Sequence, residues 1–130
     1  MTRYSKQTRM LIAVDCIIFG FDGREMKLLL IKRVIEPEKG KWSLMGGFVQ
    51  PEENFEEAAA SVLKKLTGLN DVYLEQLYAF SDIKRDPMER TASITYFSLL
   101  DINKYEKQIS HEYHAEWFPL KNGSCFNIWP

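Results

Sequence analysis

The amino-acid sequence predicts a mixed α/β domain, and two features carry this prediction. Several short apolar stretches rich in β-branched and aromatic residues are typical of strands, and one longer stretch repeats its apolar residues with the period of a helix. Strands and a helix of this kind in one chain indicate a sheet packed against helices. The chain has 130 residues and is 45% hydrophobic, which is the size of one domain. We therefore expect residues 1–130 to form a single domain.

The predicted helix has recognisable start and stop signals. Its apolar residues follow the i, i+3, i+4, i+7 pattern of a helix that packs one face on a core. Asn54 is placed to cap the helix, and Glu57 three residues later completes a capping box. Gly68 supplies the left-handed residue that ends many helices. The apolar stripe consists of Phe55, Ala58, Ala59, Val62, Leu63 and Leu66.

The other apolar stretches are predicted to be strands. Residues 10–21 and 27–33 are expected to form a hairpin around an Asp22-Gly23 turn. The continuous apolar centre of the second stretch predicts burial on both faces of the sheet. A short extended segment, 42–49, precedes the helix. Further strands are predicted at 72–80, 91–100 and 115–118, and a loop with a short helix at 101–111.

Charge, cysteine content and hydropathy exclude several classes of protein. The chain has 17 basic and 18 acidic residues, so no overall field favours nucleic acid or an anionic membrane. Cys16 and Cys125 lie far apart without Cys-x-x-Cys spacing, which indicates reduced thiols, although a disulfide stays possible. The sequence lacks an apolar run long enough to span a bilayer and lacks a signal-peptide pattern. We expect a cytoplasmic protein without membrane contact.

Two adjacent glycines, Gly46 and Gly47, precede the helix. Such a pair allows a ligand to approach the backbone closely, and the amino end of the following helix favours an anion such as a phosphate. A Gly-Gly pair alone is more often a bend than a binding site. Its fixed spacing to Glu53 and Gly68 favours the functional interpretation here.

That spacing resembles the signature of the Nudix family. Laid on this chain, the opening glycine of the signature is Gly47 and its first glutamate is Glu53. Leu63 is the aliphatic residue in the middle, and Gly68 and Leu69 close the motif. The resemblance extends over about residues 11–120 and includes the segments DCIIFGFDG, GKWSLMGGFV, DVYLEQLYAF and RDP. It implies a Nudix-like α/β/α sandwich with a mixed β-sheet.

The chemical part of the signature is changed. Ser61 and Val62 replace its Arg-Glu pair, and Lys65 and Leu66 replace its Glu-Glu pair. In active family members these glutamates hold the divalent ions that polarise a diphosphate and activate water. Mg²⁺ requires oxygen ligands, and metal-assisted hydrolysis requires a fixed ion. The resemblance thus implies a degenerate Nudix box with no catalytic residues, no bound metal and no cofactor.

Within the family, the sequence is most similar to the amino-terminal sensor domain of bacterial transcription regulators that respond to nicotinamide-related, ADP-ribose or arabinose ligands. The segment SDIKRDPMER contains the Arg-Asp-Pro loop of these domains. Without the resemblance, this segment would be interpreted as a solvated hairpin loop. Arginines suit bidentate phosphate contacts, so the resemblance implies a ligand site formed by Arg33, Gly46, Gly47, Phe48, Arg85 and Arg90.

The first hypothesis is therefore a catalytically inactive sensing domain that binds an ADP-ribose-like nucleotide or a sugar metabolite. These regulators bind DNA through a carboxy-terminal winged helix, which is absent from the 130 residues, and we expect DNA contact only through such a segment. Related domains pair with themselves, so a homodimer is expected as well.

Two other hypotheses remain. A divergent Nudix hydrolase, cleaving a nucleoside diphosphate linked to another moiety, would hold Mg²⁺ with carboxylates at the helix start. Those carboxylates also suit the helix dipole in water, which we prefer. A third hypothesis is a module for dimerisation only. The pair His111 and His114 lacks the His-Glu-x-x-His pattern and is not predicted to bind metal. The carboxylates in question are Glu52, Glu53, Glu56 and Glu57.

Overall fold

An eight-stranded mixed sheet forms the centre of the structure. The structure is a computed structural model that describes residues 4–34, 39–84, 86, 88–109 and 114–120, together with the backbone of 128–129. The strands are β1 (Leu11–Phe21), β2 (Met26–Lys32), β3 (Trp42–Ser43), β4 (Met45–Phe48), β5 (Glu75–Phe80), β6 (Thr91–Asp101), β7 (Ala115–Pro119) and β8 (Ile128–Trp129). The helices are α1 (Phe55–Thr67) and α2 (Ile102–Tyr105), and a 3-10 turn, Glu106–Gln108, follows α2.

Strand β1 connects most of the sheet because three strands pair with it. It runs parallel to β6 along its whole length, from Leu11 beside Thr91 to Phe21 beside Asp101. On its other side it pairs antiparallel with β4 and then with β2. The sheet order is β5-β6-β1-β2-β3-β8, with β4 on β1 and β7 on β2. Alternate side chains of β1 point to opposite faces, and one set, Val14, Cys16 and Ile18, is fully buried.

The caps of α1 are those that the sequence predicts. The Asn54 side chain accepts a hydrogen bond from the Glu57 N–H at 2.8 Å, and the Glu57 carboxylate accepts one from the Asn54 N–H at 2.9 Å. At the other end Gly68 has φ +83°, and its N–H donates to the Lys64 carbonyl at 2.9 Å. The capping-box prediction is confirmed.

The predicted Asp22-Gly23 turn joins β1 to β2. Gly23 has φ +98°, a conformation that suits glycine. The N–H groups of Arg24 and Glu25 donate to Asp22 Oδ1 at 2.8 and 2.9 Å, and Lys27 Nζ lies 3.2 Å from Asp22 Oδ2. The hydrogen bonds from Glu25 and Arg24 and the nearby Lys27 lower the pKa of Asp22 to about 2. The carboxylate therefore stays charged, and the turn anchored, at any pH above that value.

The main hydrophobic cluster lies on the face of the sheet next to α1. Alpha helix α1 covers that face, where Ala58, Ala59 and Leu63 pack on side chains of β1, β2, β4 and β6. Tyr105 of α2 and Ile109 pack on the same core. The fold class predicted from the sequence, a mixed sheet with helices, is confirmed. No helix in the described part of the chain is long and apolar enough to cross a membrane.

The strands differ from the sequence predictions mainly at their ends. Strand β5 begins at Glu75 rather than at residue 72, because Val72 and Leu74 pack against the core as loop residues. Strand β7 includes Pro119, where Lys27 is its partner. The apolar centre of β2 is buried on both faces, as predicted, with exposed fractions between 0% and 7% at Leu28, Leu29 and Leu30.

We predict that Asn54→Ala lowers the free energy of unfolding by about 1 kcal/mol, because it removes the side-chain acceptor for the orphan amide of α1. Urea denaturation followed by circular dichroism measures the change. Ser61→Ala, an exposed substitution inside the same helix, is the matched control and should lose no stability. Equal midpoints for wild type and Asn54→Ala would contradict the capping interpretation.

Candidate functional site

The glycine-bearing stretch forms strand β4, which lies between β1 and the start of α1. In its register with β1, Gly47 is opposite Val14 and Gly46 is opposite Asp15. Because Val14 belongs to the buried set of β1, Gly47 faces α1, whereas Gly46 and Phe48 face the other side of the sheet. The predicted ligand residues of β4 are thus divided between two faces.

Gly47 lies directly beneath Val62 of α1. A Cβ atom at Gly47 would come within 2.8 Å of Val62 Cγ2, closer than packed carbon atoms approach. Glycine at this position lets the helix pack against β4. The opening glycine of the predicted signature and one of its altered positions are therefore in direct contact.

Gly46 has a different neighbour. A Cβ atom there would come within 2.6 Å of Asp15 Oδ1, on the face of the sheet away from α1. The absence of a side chain at Gly46 therefore leaves room for the Asp15 carboxylate beside the backbone of β4. The sequence analysis did not select Asp15, because it stands alone among apolar residues of β1 and matches no motif.

The four altered positions of the box fall into two groups. Val62 and Leu66 are partly buried and pack against the core, one helical turn apart on the side of α1 that faces the sheet. Ser61 and Lys65 are exposed to solvent. An aliphatic side chain has no lone pair for a cation. The side of α1 that faces β4 therefore offers hydrocarbon at the two altered positions.

Two of the four carboxylates at the helix start accept hydrogen bonds from the backbone of their own loop. The Glu53 carboxylate accepts a hydrogen bond from the Gln50 N–H at 3.0 Å, and Glu57 belongs to the capping box. Among the residues that the structure describes, no group of three or more His, Cys, Asp or Glu side chains is placed to hold a metal ion. The four glutamates proposed for the hydrolase alternative do not form such a group.

Two polar side chains are buried beneath α1. The Cys16 thiol donates to the Ala59 carbonyl at 3.6 Å, and burial, with a smaller contribution from Asp15, raises its pKa to about 12. The Tyr96 hydroxyl has no hydrogen-bond partner among the described residues. Burial, and then the charges of Glu56 and Cys16, raise the pKa of Tyr96. Both side chains are therefore uncharged at neutral pH.

The two predicted arginines that the structure describes, Arg33 and Arg90, lie in separate loops. The Arg33 backbone pairs with Lys41 and Gly40 at 2.8 Å, in the connection between β2 and β3. The exposed Arg90 guanidinium donates to the Ser81 carbonyl at 2.9 Å and holds the loop between β5 and β6. The carbonyl of Arg90 accepts from the N–H of Leu11 at the amino end of β1.

Phe48 lies near the same end of β1 as Arg90, because it pairs with Ala13, two residues after Leu11. The described structure thus brings Phe48 and Arg90 to one end of the sheet. The loop that contains Arg33 belongs to a different pair of strands.

Several predicted residues lie outside the described part of the chain. They are Arg85, His111 and Cys125. Cys16 is a free thiol. His114 is exposed and has φ +55° just before β7.

This topology, with a signature glycine packed under the helix that follows it, defines a Nudix fold. The sequence profile of the NUDIX domain matches residues 9–125, and the chain belongs to this family.

Two curated relatives are similar to most of this chain. The chain is 37% identical over 113 residues to the ADPR responsive transcriptional repressor NtrR of Acinetobacter baylyi, a match that covers 85% of this chain and 45% of that protein. It is 38% identical over 112 residues to an ADP-ribose pyrophosphatase of Methanocaldococcus jannaschii, covering 85% of this chain and 63% of that protein. The chain thus spans about half and somewhat under two thirds of these relatives.

A solved structure is similar as well. The NUDIX domain of Shewanella oneidensis NrtR, complexed with ADP ribose, superposes with a TM-score of 0.76 at 25% identity, covering 92% of this chain and 79% of that one. The matches to NtrR, a transcriptional repressor, and to NrtR confirm the resemblance that the sequence indicates.

We predict that Gly47→Ala destabilises the domain by about 1–3 kcal/mol, because the added methyl group collides with Val62. Val62→Ala should relieve the collision, so that the two substitutions couple by about 1 kcal/mol in a double-mutant cycle. Urea denaturation of the two single variants and the double variant measures this coupling. Strict additivity would show that Gly47 and Val62 are not packed as described.

Proposed function

We propose that the chain is the ligand-sensing domain of a transcription regulator and that it binds an ADP-ribose-like nucleotide or a sugar metabolite without hydrolysing it. The observation that supports the proposal most is the packing of Val62 and Leu66 against the core beside Gly47. Two of the proteins that it resembles, NtrR and NrtR, are described as responsive to, or complexed with, ADP-ribose.

The proposed absence of hydrolysis follows from the side chains at the altered positions of the box. Cleavage of a diphosphate in this family needs metal ions held against the substrate, and hard cations need oxygen ligands. Val62 and Leu66 supply none. Lys65 carries a positive charge, which would repel a divalent ion by roughly 4 kcal/mol per unit of charge at about 4 Å in an effective dielectric near 20. A ligand would bind in this domain and leave unchanged.

The ligand site is proposed at the end of the sheet that contains β4. Phe48 is half exposed there and offers an aromatic ring for stacking. Arg90 is close to it along β1 and suits a phosphate. Gly46, Gly47, Arg33 and Arg85 complete the set that the resemblance implies, although Val62 and the Asp15 carboxylate occupy the space beside the two glycines.

The domain is proposed to work as part of a dimeric regulator. Residues 1–130 would form one sensing domain, and DNA would be bound through a winged helix in another part of the regulator. Repressors that read two half-sites of an operator act as dimers, so a homodimer suits this role. The cytoplasm, where such regulators meet DNA in bacteria, is the expected compartment.

We predict that ADP-ribose binds the chain and is recovered intact. Isothermal titration calorimetry measures binding, and chromatography of the same mixture with Mg²⁺ measures any AMP released. Phe48→Ala should weaken binding about tenfold or more, by the usual contribution of one stacked ring. Tyr73→Ala, which removes an exposed aromatic ring just before β5, is the control. No heat of binding at millimolar ADP-ribose, ribose 5-phosphate or arabinose would refute the proposal.

A divergent hydrolase is the second candidate, because one relative of similar identity is an ADP-ribose pyrophosphatase. It would use the glutamates at the start of α1 and require Mg²⁺ as cofactor. Release of AMP and ribose 5-phosphate from ADP-ribose, dependent on Mg²⁺ and abolished by Glu53→Gln, would establish it. Such a result would displace the sensing proposal.

We also predict that restoring the carboxylates restores cation binding. The triple variant Val62→Glu, Lys65→Glu, Leu66→Glu should bind Mn²⁺ at least about tenfold more tightly than wild type, since oxygen ligands replace hydrocarbon and an ammonium group. Electron paramagnetic resonance of free Mn²⁺ measures this. The corresponding Gln triple variant disturbs packing similarly without the charges, and it should stay at the wild-type level. Equal binding by both variants would show that the altered positions do not face a potential metal site.

A further inference from the structure

One edge of β6 has no strand beside it over its last four residues, 98–101, called here the open edge. Strand β1 pairs with β6 as far as Asp101, whereas β5 pairs with it only as far as Phe97. In the described part of the chain, loops and turns make no backbone hydrogen bond to residues 98–100. Because successive residues of a strand direct their N–H and C=O groups to opposite edges, part of this backbone faces away from β1 without a strand to pair with.

A groove of about 450 Å³ follows the open edge. Its lining includes both alternate sets of β6 side chains, since Ser98 and Leu100 belong to the face of α1 and Leu99 belongs to the opposite face. A cavity above one face of a sheet would contact only one of these sets. The groove therefore runs beside β6, in the place where a further strand would lie.

Side chains outside the two strands lie at the ends of the groove. Tyr73, just before β5, lies at one end, and Lys104 and Tyr105 of α2 lie at the other. Tyr105 packs on the core on the side of α1, while Tyr73 is 79% exposed and Leu99 is 63% exposed. The open edge is about 13 Å long, since each residue of a strand adds about 3.3 Å.

These features suit an extended peptide better than a small molecule. A small-molecule pocket typically buries about 70–90% of its ligand, whereas highly exposed side chains line this groove. A strand edge instead offers a row of backbone donors and acceptors, and an extended peptide satisfies them by adding a strand to the sheet. A peptide segment of about four residues matches the length of the open edge.

The outer edge of β5 is less suited to such pairing. The register of β5 with β6 shifts between Gln76 and Tyr78. Irregularities of this kind disrupt the hydrogen-bonding pattern of a strand and protect sheet edges from further pairing. The open edge of β6 has a continuous register with β1 up to Asp101, so its backbone keeps the regular geometry that an added strand requires.

The charges of the groove indicate the chemistry of the peptide. Glu75 and Asp101 contribute two carboxylates to the lining, and Lys104 contributes one ammonium group, which lies 5.7 Å from the centre of the Tyr105 ring. The net charge of the lining is therefore negative. In an added strand, a basic side chain opposite Asp101 would form a cross-strand ion pair, and an apolar side chain would pack opposite Leu99.

We propose that the open edge of β6 is a docking site for an extended segment of a partner protein. The segment would add a short strand beside residues 98–101 and place a basic side chain opposite Asp101. Arg90 precedes the other end of β6, so the groove is separate from the proposed ligand site. The docking site therefore does not depend on which ligand the domain binds.

Fluorescence anisotropy with labelled hexapeptides tests the proposal. The probes alternate valine and threonine and carry one lysine at an inner position, and a matched set carries glutamate there instead. We expect the lysine peptides to bind at least about tenfold more tightly than the glutamate peptides. Methylation of alternate backbone nitrogens in the tightest lysine peptide should abolish binding, because it removes the donors of the added strand and keeps every side chain.

Two matched variants locate the site on the protein. Leu99→Arg adds a positive charge to the groove and should weaken binding of the lysine peptide at least about tenfold. Leu77→Arg, at an exposed leucine of β5 outside the groove, should leave binding unchanged. Hydrogen exchange followed by nuclear magnetic resonance should show the amides of residues 98–101 becoming protected when the peptide is added. Circular dichroism verifies that both variants are folded.

The proposal would be overturned if no lysine peptide bound at millimolar concentration, or if the glutamate or the methylated peptides bound equally well. Equal weakening by Leu99→Arg and Leu77→Arg would also overturn it. Protection of the same amides by ADP-ribose alone would assign the groove to the ligand, and protection that rises with protein concentration alone would assign it to a second copy. Either result would contradict docking of a partner segment.

Titration of ADP-ribose into the wild-type protein separates this proposal from the proposed function. Peptide binding at the open edge of a protein that binds no ADP-ribose would leave the docking site standing and remove the ligand. Binding of ADP-ribose by a protein that takes none of the peptides would do the reverse.

Discussion

The contact between α1 and β4 is the constraint on which most of this structure depends. Helix α1 reaches the sheet because Gly47 has no side chain, and Val62 occupies the space that a Cβ atom would need. In the sequence signature of the family, a glutamate stands at the position of Val62. The contact that positions the helix therefore also explains the proposed loss of metal binding and hydrolysis, since hydrocarbon fills the space between helix and strand.

Most of the fold follows from local signals that can be recognised in the sequence. The caps of α1, the Asp22-Gly23 turn and the long apolar strands rest on hydrogen bonds and periodicities within a few residues, and such features are readable without tertiary structure. The start of β5 was misplaced because Val72 and Leu74 are apolar for a different reason: they pack as loop residues. Hydrophobicity alone does not distinguish a strand from an ordered loop on a core.

The site was less predictable, because its residues meet only through the sheet. Gly46, Gly47 and Phe48 are consecutive and were recognised together, but alternation divides them between two faces. Asp15 was missed, since its proximity to Gly46 depends on the pairing of β1 with β4. Arg90 and Phe48 are brought to one end of the sheet by β1, which is distant from both in sequence. Such proximity depends on which residues pair in adjacent strands, and a single sequence contains no local signal for that pairing.

The parallel pairing of β1 with β6 has a consequence for how the chain reaches its native state. The two strands are about eighty residues apart, and every hydrogen bond between them closes a loop of that length. Contacts of such long range slow folding. During synthesis, β1 cannot pair fully with β6 until residues 91–101 have left the ribosome. Until then, the apolar side chains of β1 are exposed to chaperones or to neighbouring chains.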